Sequence, residues 1–196
     1  MTDKAPRLIL ASASPRRQQL LREAGYEFIV QASDVDEAAA PTLLPVELAR
    51  HLSLIKAAAV APQFPDDVVL AADTIVAFGD KTLGKPADAI EARRTLTLLS
   101  GTTHVVITGV TLIQQGNGYQ RTSHAMSAVH MRRLTLQEIQ EYLASGQWVG
   151  KAGAYGIQDP DPFVTNMSGS LSNIVGLPME LTQEMLSESG IFPKTA

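Results

Sequence analysis

The first hundred residues alternate between short apolar runs and segments with helical periodicity, and this alternation constrains the fold more than any other feature. Residues 8–11 and 68–72 have the length and composition of buried strands, and residues 26–30 predict another strand. Apolar side chains recur at helical spacing over 46–61, and a shorter helix over 15–24 ends before Gly25. Strands that alternate with helices build sheets covered by helices, so the sequence predicts an α/β fold.

Two β-rich stretches in the second half predict a hairpin. Residues 104–113 and 119–131 flank the turn sequence at 116–118, which contains two glycines. A hairpin adds antiparallel strands to the parallel strands expected earlier, so we predict a mixed sheet. A chain of 196 residues fits one domain or two tightly joined lobes, and we predict a single domain over 1–196.

Composition narrows the function classes. The absence of cysteine excludes disulfides, thiolate zinc sites and cysteine nucleophiles. A net charge of −4 argues against nucleic acid as a partner, although it leaves room for a local cationic cleft. No window supplies the roughly 20 apolar residues of a membrane span, and the apolar run after Arg7 is too short for a signal peptide. We therefore expect a cytoplasmic protein that binds neither membrane nor nucleic acid.

Two adjacent arginines open the first helix. Ser14 suits the N-cap and Pro15 the first helical position, which places Arg16 and Arg17 in the first turn. Cations there face the positive end of the helix dipole, which costs about 0.3–1 kcal/mol each. A bound anion reverses that effect, since free amides and guanidinium groups together hold phosphate well. The pair is therefore either a phosphate cradle or two solvated arginines.

Three further ionisable residues are site candidates, each with a simpler alternative. Asp73 follows an apolar run, and ligands gather at the carboxyl ends of strands in open α/β sheets, but an aspartate there equally caps a turn. Glu37 lies in an acidic stretch that suits a divalent cation or a solvated loop. Lys56 borders the apolar face of its helix, where a lysine often extends its amine to solvent.

Residues 79–86 come close to a P-loop but break its pattern. The glycine spacing and Lys85 match, whereas Pro86 stands in the place of the magnesium-binding Ser or Thr. We reject a P-loop on that ground and keep Lys85 as a cation that seeks phosphate. The histidines show no metal-binding spacing, and no Gly-x-Ser-x-Gly motif supports a serine nucleophile.

Taken in order, several short segments resemble the Maf family of nucleoside triphosphate pyrophosphatases, also described as septum-formation inhibitor proteins. The matching segments are 10–17, Asp36-Glu37, Lys56-Ala57, Ala72-Asp73-Thr74, Gly84-Lys85-Pro86, Ser100-Gly101, 153–158 and 175–178. The resemblance implies an ITPase-like α/β fold with an elongated mixed sheet, flanking helices and two lobes around a deep cleft. It also implies a divalent metal cation, Mg²⁺ or Mn²⁺, and commonly a homodimer.

The resemblance assigns roles by position. Asp73 matches the family's proton acceptor, and the metal would be held by Glu37 and Asp73. The residues that match positions around the triphosphate are Ser12, Arg16, Arg17, Lys56 and Lys85. The branch that acts on dTTP and UTP is similar at the positions of Arg16, Thr74 and Gln158. The resemblance therefore predicts hydrolysis of dTTP and UTP to the monophosphate and pyrophosphate.

One segment departs from the family pattern. Many members of this branch follow the glutamine with glycine, whereas Gln158 precedes Asp159-Pro160-Asp161-Pro162 here. A stiff acidic loop beside Gln158 bears on base preference and leaves the phosphate chemistry untouched. A second function class stays open, namely a nucleotide-binding regulator of cell division or septum formation with little turnover.

Overall fold

The computed structural model describes residues 5–159 and 163–194. Its strands are β1 (Leu8–Leu10), β2 (Ile29–Val30), β3 (Val68–Phe78), β4 (Lys81–Leu83), β5 (Thr103–Gln114), β6 (Tyr119–Met131) and β7 (Val164–Ser168). Its helices are α1 (Pro15–Glu23), α2 (Pro45–Val60), α3 (Ala89–Leu99), α4 (Leu136–Ser145), α5 (Leu171–Val175) and α6 (Met179–Glu188). No helix within the described ranges is both long and apolar enough to cross a membrane.

The described residues form one seven-stranded mixed sheet. The strand order is β2-β1-β3-β5-β6-β7, and β4 pairs with β3 outside this path. β1 runs parallel to both β2 and β3, whereas β3, β5, β6 and β7 pair antiparallel in succession. The predictions of an α/β fold, a mixed sheet and a central hairpin are confirmed.

Two strand predictions were wrong in extent. The strand expected over 68–72 continues to Phe78, because β5 pairs with β3 from Val69 to Ala77. Asp73 therefore lies inside a long strand and does not end a short one. The strand expected over residues 26–30 shrinks to β2, whose two residues pair only with β1.

One edge of β3 changes neighbour along its length. β1 pairs with residues 68–70, and β4 pairs with residues 76–78. Between them, residues 71–75 have no strand on that side within the described chain, while β5 covers the opposite edge without interruption. We call residues 71–75 the strand gap. Asp73 and Thr74 lie at its centre.

Helix α2 approaches the sheet closely at one glycine. A Cβ atom at Gly109 of β5 would lie 2.2 Å from the carbonyl oxygen of Ala49 on α2, so only glycine fits there. Gly109 pairs directly with Asp73 on β3. Lys56 lies two turns after Ala49 on the same face of α2, and the close approach therefore brings Lys56 to the strand gap.

Candidate active site

A cleft of about 1090 Å³ opens at the strand gap. Its walls come from β3, the turn before α1, residues 32–41, helix α2, the segment after β4, residues 150–159 and the end of α5. Every residue that the sequence predicts for the site lines this cleft, namely Ser12, Arg16, Arg17, Glu37, Lys56, Asp73, Thr74, Lys85 and Gln158. The fold thus brings together residues from six separate segments.

Lys56 joins two carboxylates in what we call the acid cluster, formed by Glu37, Lys56 and Asp73. The Lys56 Nζ atom lies 2.8 Å from Glu37 Oε1 and donates a short hydrogen bond to Asp73 Oδ1. Lys56 and Asp73 are buried, whereas the side chain of Glu37 is 45% exposed. One ammonium group therefore faces two carboxylates, and the cluster keeps one net negative charge.

The two carboxylates of the acid cluster differ in acidity. Burial raises the pKa of Asp73 above its ordinary value, although the positive charges of Lys56 and Arg17 oppose this effect. Burial also acts to raise the pKa of Glu37, but Lys56, Lys85 and Arg17 outweigh it and hold that pKa below its ordinary value. Asp73 is therefore the stronger base of the two, and Glu37 the more firmly charged anion.

Arg17 ties three walls of the cleft together. Its Nε donates to the carbonyl oxygen of Gly176 at 2.8 Å, its Nη1 to Ser12 Oγ at 3.1 Å, and its Nη2 to Thr74 Oγ1 at 3.2 Å. Burial lowers the pKa of Arg17, and the nearby charge of Asp73 opposes this shift. A guanidinium group stays protonated in proteins and has five N–H donors, so two remain for a ligand.

The turn before α1 matches its prediction in position and differs in one bond. Ser14 is the N-cap and Pro15 opens the helix, but the Ser14 side chain makes no capping hydrogen bond. Instead the Ser14 amide donates to Ser12 Oγ at 3.3 Å. Arg16 lies exposed in the first turn, where it lines the cleft.

The segment that carries Gln158 is anchored at both ends. The Gly153 amide donates to the Gly84 carbonyl oxygen at 3.1 Å, which joins this segment to the residue before Lys85. Further along, the Tyr155 hydroxyl and His104 Nε2 lie 2.5 Å apart. Burial lowers the pKa of His104 to about 4, so His104 is neutral and acts as a structural partner.

Asp159 closes this segment in what we call the clasp, formed by Tyr142, Lys151 and Asp159. Asp159 Oδ2 accepts from the Tyr142 hydroxyl at 2.6 Å and from the Gly156 amide at 2.8 Å, while Oδ1 accepts a short bond from Lys151 Nζ. Each oxygen of Asp159 thus has a partner, and Lys151 balances its charge. The other residues of the acidic loop, 160–162, lie outside the described residues.

Sequence reasoning missed the clasp and the buried partners behind the cleft. Neither Tyr142 nor Lys151 belongs to a recognisable motif, and the bonds that unite them with Asp159 depend on how the chain folds back. The signal that was available is the departure at Asp159, since an acid beside a nucleotide site needs a compensating cation.

Comparisons with known proteins found a matching family model, similar sequences and partly matching solved structures. A family model described as Maf-like protein matches residues 7–189. A dTTP/UTP pyrophosphatase from Symbiobacterium thermophilum is 44% identical, covering 93% of this chain and 94% of the relative. A dTTP/UTP pyrophosphatase from Cereibacter sphaeroides is 46% identical, covering 94% and 95% respectively. Among solved structures, a HAM1 protein from Coxiella burnetii is 20% identical with a TM-score of 0.45, covering 66% of this chain and 75% of that one.

Proposed function

Because the chain belongs to the Maf family, we propose that it hydrolyses dTTP and UTP to the nucleoside monophosphate and pyrophosphate. Relatives with 44% and 46% identity over nearly the whole chain are named for this activity. The observation that carries the proposal is the acid cluster, in which a buried carboxylate of raised pKa stands in a cleft with basic side chains.

The charge of the cleft suits a polyphosphate. Its basic residues at the proposed phosphate end are Arg16, Arg17, Lys56 and Lys85. They outnumber the two carboxylates of the acid cluster, so this end of the cleft is cationic although the chain as a whole carries −4. Guanidinium and ammonium groups bind phosphate oxygens through charge-assisted hydrogen bonds.

Asp73 is the proposed proton acceptor. The reaction is attack of water on the α-phosphorus, with pyrophosphate as the leaving group, and Asp73 takes the proton from the attacking water. Oδ1 is bonded to Lys56, which leaves Oδ2 as the accepting atom. The raised pKa of Asp73 improves it as a general base near neutral pH. Lys85 would stabilise the charge that develops on the leaving pyrophosphate.

The donor set fits a divalent cation that also binds the substrate. Glu37 and Asp73 both contact Lys56 Nζ, which holds the two carboxylates close together in the cleft. Mg²⁺ commonly takes one or two protein carboxylates and completes its shell with phosphate oxygens and water. Among the described residues no group of three His, Asp or Glu side chains has metal-binding geometry, so phosphate oxygens and water would have to supply the remaining ligands. When bound, the cation would acidify the water and polarise the phosphoryl oxygen.

Base preference is assigned to Arg16, Thr74 and Gln158. Gln158 is exposed and offers both an amide donor and an amide acceptor. The neighbouring Asp159 is held in the clasp, and its charge is balanced there by Lys151. The charge of Asp159 beside Gln158 is therefore no obstacle to an anionic substrate.

The direct test is a product analysis. The protein is incubated with Mg²⁺ and each of dTTP, UTP, CTP, GTP and 7-methyl-GTP, and the products are separated by chromatography. We expect monophosphate plus pyrophosphate, formed fastest from dTTP or UTP. Diphosphate plus orthophosphate would refute attack at the α-phosphorus. Tight nucleotide binding without turnover under several metals would favour the regulator of cell division.

A homodimer is the proposed solution state, carried over from the family resemblance. Several large apolar side chains are exposed and available for an interface, among them Ile90, Leu136 and Phe192. Sedimentation velocity measures the mass directly, and a single species at the 21.0 kDa of one chain would refute the dimer.

A further inference from the structure

We infer that Thr108, a buried residue behind the cleft, fixes the direction of the Thr74 hydroxyl so that the Thr74 oxygen acts as a hydrogen-bond acceptor toward the cleft. An acceptor in that position selects bases that carry a ring N–H. This inference rests on the proposed function, because it takes Thr74 to face the base of a pyrimidine nucleotide. Thr108 itself touches no substrate and is a positioning residue.

The two threonines are direct partners across the sheet. Thr74 of β3 pairs with Thr108 of β5, and their Oγ1 atoms lie 3.0 Å apart. Thr108 is 0% exposed, whereas Thr74 lines the cleft. Thr108 Oγ1 also lies 3.1 Å from the backbone carbonyl oxygen of Asn173, which ends the polar chain inside the protein.

The direction of every hydrogen bond in this chain follows from its two ends. A carbonyl oxygen only accepts, so the hydroxyl of Thr108 must donate to Asn173. Because that bond uses the single hydroxyl hydrogen of Thr108, Thr108 can only accept from Thr74. The Thr74 hydroxyl must therefore donate to Thr108, away from the cleft. At the other end, Arg17 Nη2 only donates, so Thr74 accepts from it.

One competing acceptor lies near Thr74. The Gly176 carbonyl oxygen is 3.4 Å from Thr74 Oγ1, a longer distance than the 3.0 Å to Thr108. That carbonyl oxygen already accepts from Arg17 Nε at 2.8 Å. The shorter bond, to the buried Thr108, therefore takes the hydrogen.

The outcome is a hydroxyl that offers the cleft a lone pair and no hydrogen. Uracil and thymine carry an N–H at ring nitrogen 3, which such a lone pair can accept. Cytosine carries a lone pair at the same nitrogen, and two acceptors cannot form a hydrogen bond. The inward direction of the Thr74 hydroxyl thus favours uracil and thymine, and Thr108 is the residue that sets this direction.

The test compares UTP with CTP in matched variants. Thr108→Val keeps the shape and removes the nearer acceptor. The Thr74 hydroxyl then keeps only the longer contact to the Gly176 carbonyl oxygen as an inward acceptor and can turn its hydrogen toward the cleft. We expect its preference for UTP over CTP, measured as the ratio of kcat/KM values, to fall roughly three- to tenfold, the range that one hydrogen bond supplies. Thr108→Ser retains the hydroxyl and should restore the preference.

Thr111→Val is the control for a general loss of buried polar contacts. Thr111 is another fully buried threonine of β5, and its hydroxyl bonds Ser53 and Thr122 away from the cleft. It should lower the thermal midpoint and leave the UTP to CTP ratio unchanged. If Thr108→Val fails to fold, Thr108→Ala makes the same test.

The outcomes separate the inference from the proposed function. An unchanged ratio in an active Thr108→Val enzyme overturns the role of Thr108 and leaves the pyrophosphatase activity standing. An equal loss in Thr111→Val overturns it as well, because any disturbance of β5 would then act alike. A wild-type protein that hydrolyses neither UTP nor dTTP would instead refute the proposed function.

Discussion

The acid cluster and the clasp are two lysine–carboxylate contacts in one cleft, and they differ in how completely the charges are matched. In the acid cluster, Lys56 is shared by Glu37 and Asp73. In the clasp, Asp159 is the one carboxylate that Lys151 contacts among the described residues, and Tyr142 and Gly156 add neutral donors. The first arrangement is one positive charge short, whereas the second is balanced.

The match of charges determines what each carboxylate can still do. Asp159 has a donor at both oxygens, so it can take no proton without losing a bond. Asp73 has its single described donor at Oδ1, and its pKa is raised by burial. An unmatched carboxylate suits proton transfer and cation binding, while a saturated one suits the positioning of a loop.

The largest expected effect is the loss of turnover in Asp73→Asn of the acid cluster, compared with Asp159→Asn of the clasp. Turnover of dTTP should fall by about 10²–10⁴-fold, because the amide cannot accept the proton from water. Asp159→Asn is the matched control and should keep most of the turnover, since it alters only the clasp. Steady-state kinetics at saturating substrate measures both, with the thermal midpoint as a check on folding. Equal losses of turnover in the two variants would contradict the different roles of the acid cluster and the clasp.

Lys56→Met should separate the regions by their pH dependence. Lys56 lowers the pKa of Asp73, so its removal lets burial raise that pKa further. Asp73 acts in its ionised form, and the acid limb of the kcat/KM profile should therefore move to higher pH. The profile of Lys151→Met should keep the wild-type limb, because no contact joins Lys151 to the acid cluster among the described residues. A limb that stays in place in Lys56→Met would remove Asp73 from the role of base.

Tyr142→Phe should have the smallest effect and confine it to stability. It deletes one of the donors to Asp159, which is expected to lower the free energy of unfolding by about 1 kcal/mol. Lys151 and the Gly156 amide remain, so turnover of dTTP should change little. Denaturant unfolding and a standard assay measure the two quantities. A large loss of turnover without a loss of stability would show that the clasp takes part in the chemistry.

The local signals of the sequence were sufficient for much of the fold. The turn before α1, the boundaries of α2 and the hairpin of β5 and β6 follow from proline, glycine and apolar periodicity. β7 and α5 escaped prediction because each is only five residues long, which is too short for a periodic pattern to show. The full length of β3 escaped it too, because the extension beyond Ala72 depends on pairing with a distant strand.

For the site, too, the sequence predicted the residues but not the contacts between them. Residue type and order identified the nine residues that meet in the cleft, largely through the resemblance to the Maf family. Neither could reveal that Lys56 bridges Glu37 and Asp73, or that Thr108 stands behind Thr74. Those contacts depend on register and on the approach of α2 at Gly109, and both arise from packing between segments far apart in the chain.

Because of the strand gap, the backbone amides of β3 should report whether the cleft is occupied. Amide hydrogens that lie between strands exchange slowly with deuterated solvent, whereas those that face an open edge exchange faster. Residues 71–75 have β5 on one side and the cleft on the other, so amides directed toward the cleft should exchange early in the free protein. A seated nucleotide should slow that exchange and leave the amides toward β5 as they were. The exchange rates of the amides that flank Asp73 therefore report whether a nucleotide occupies the cleft, and no chemical label has to be attached to the protein.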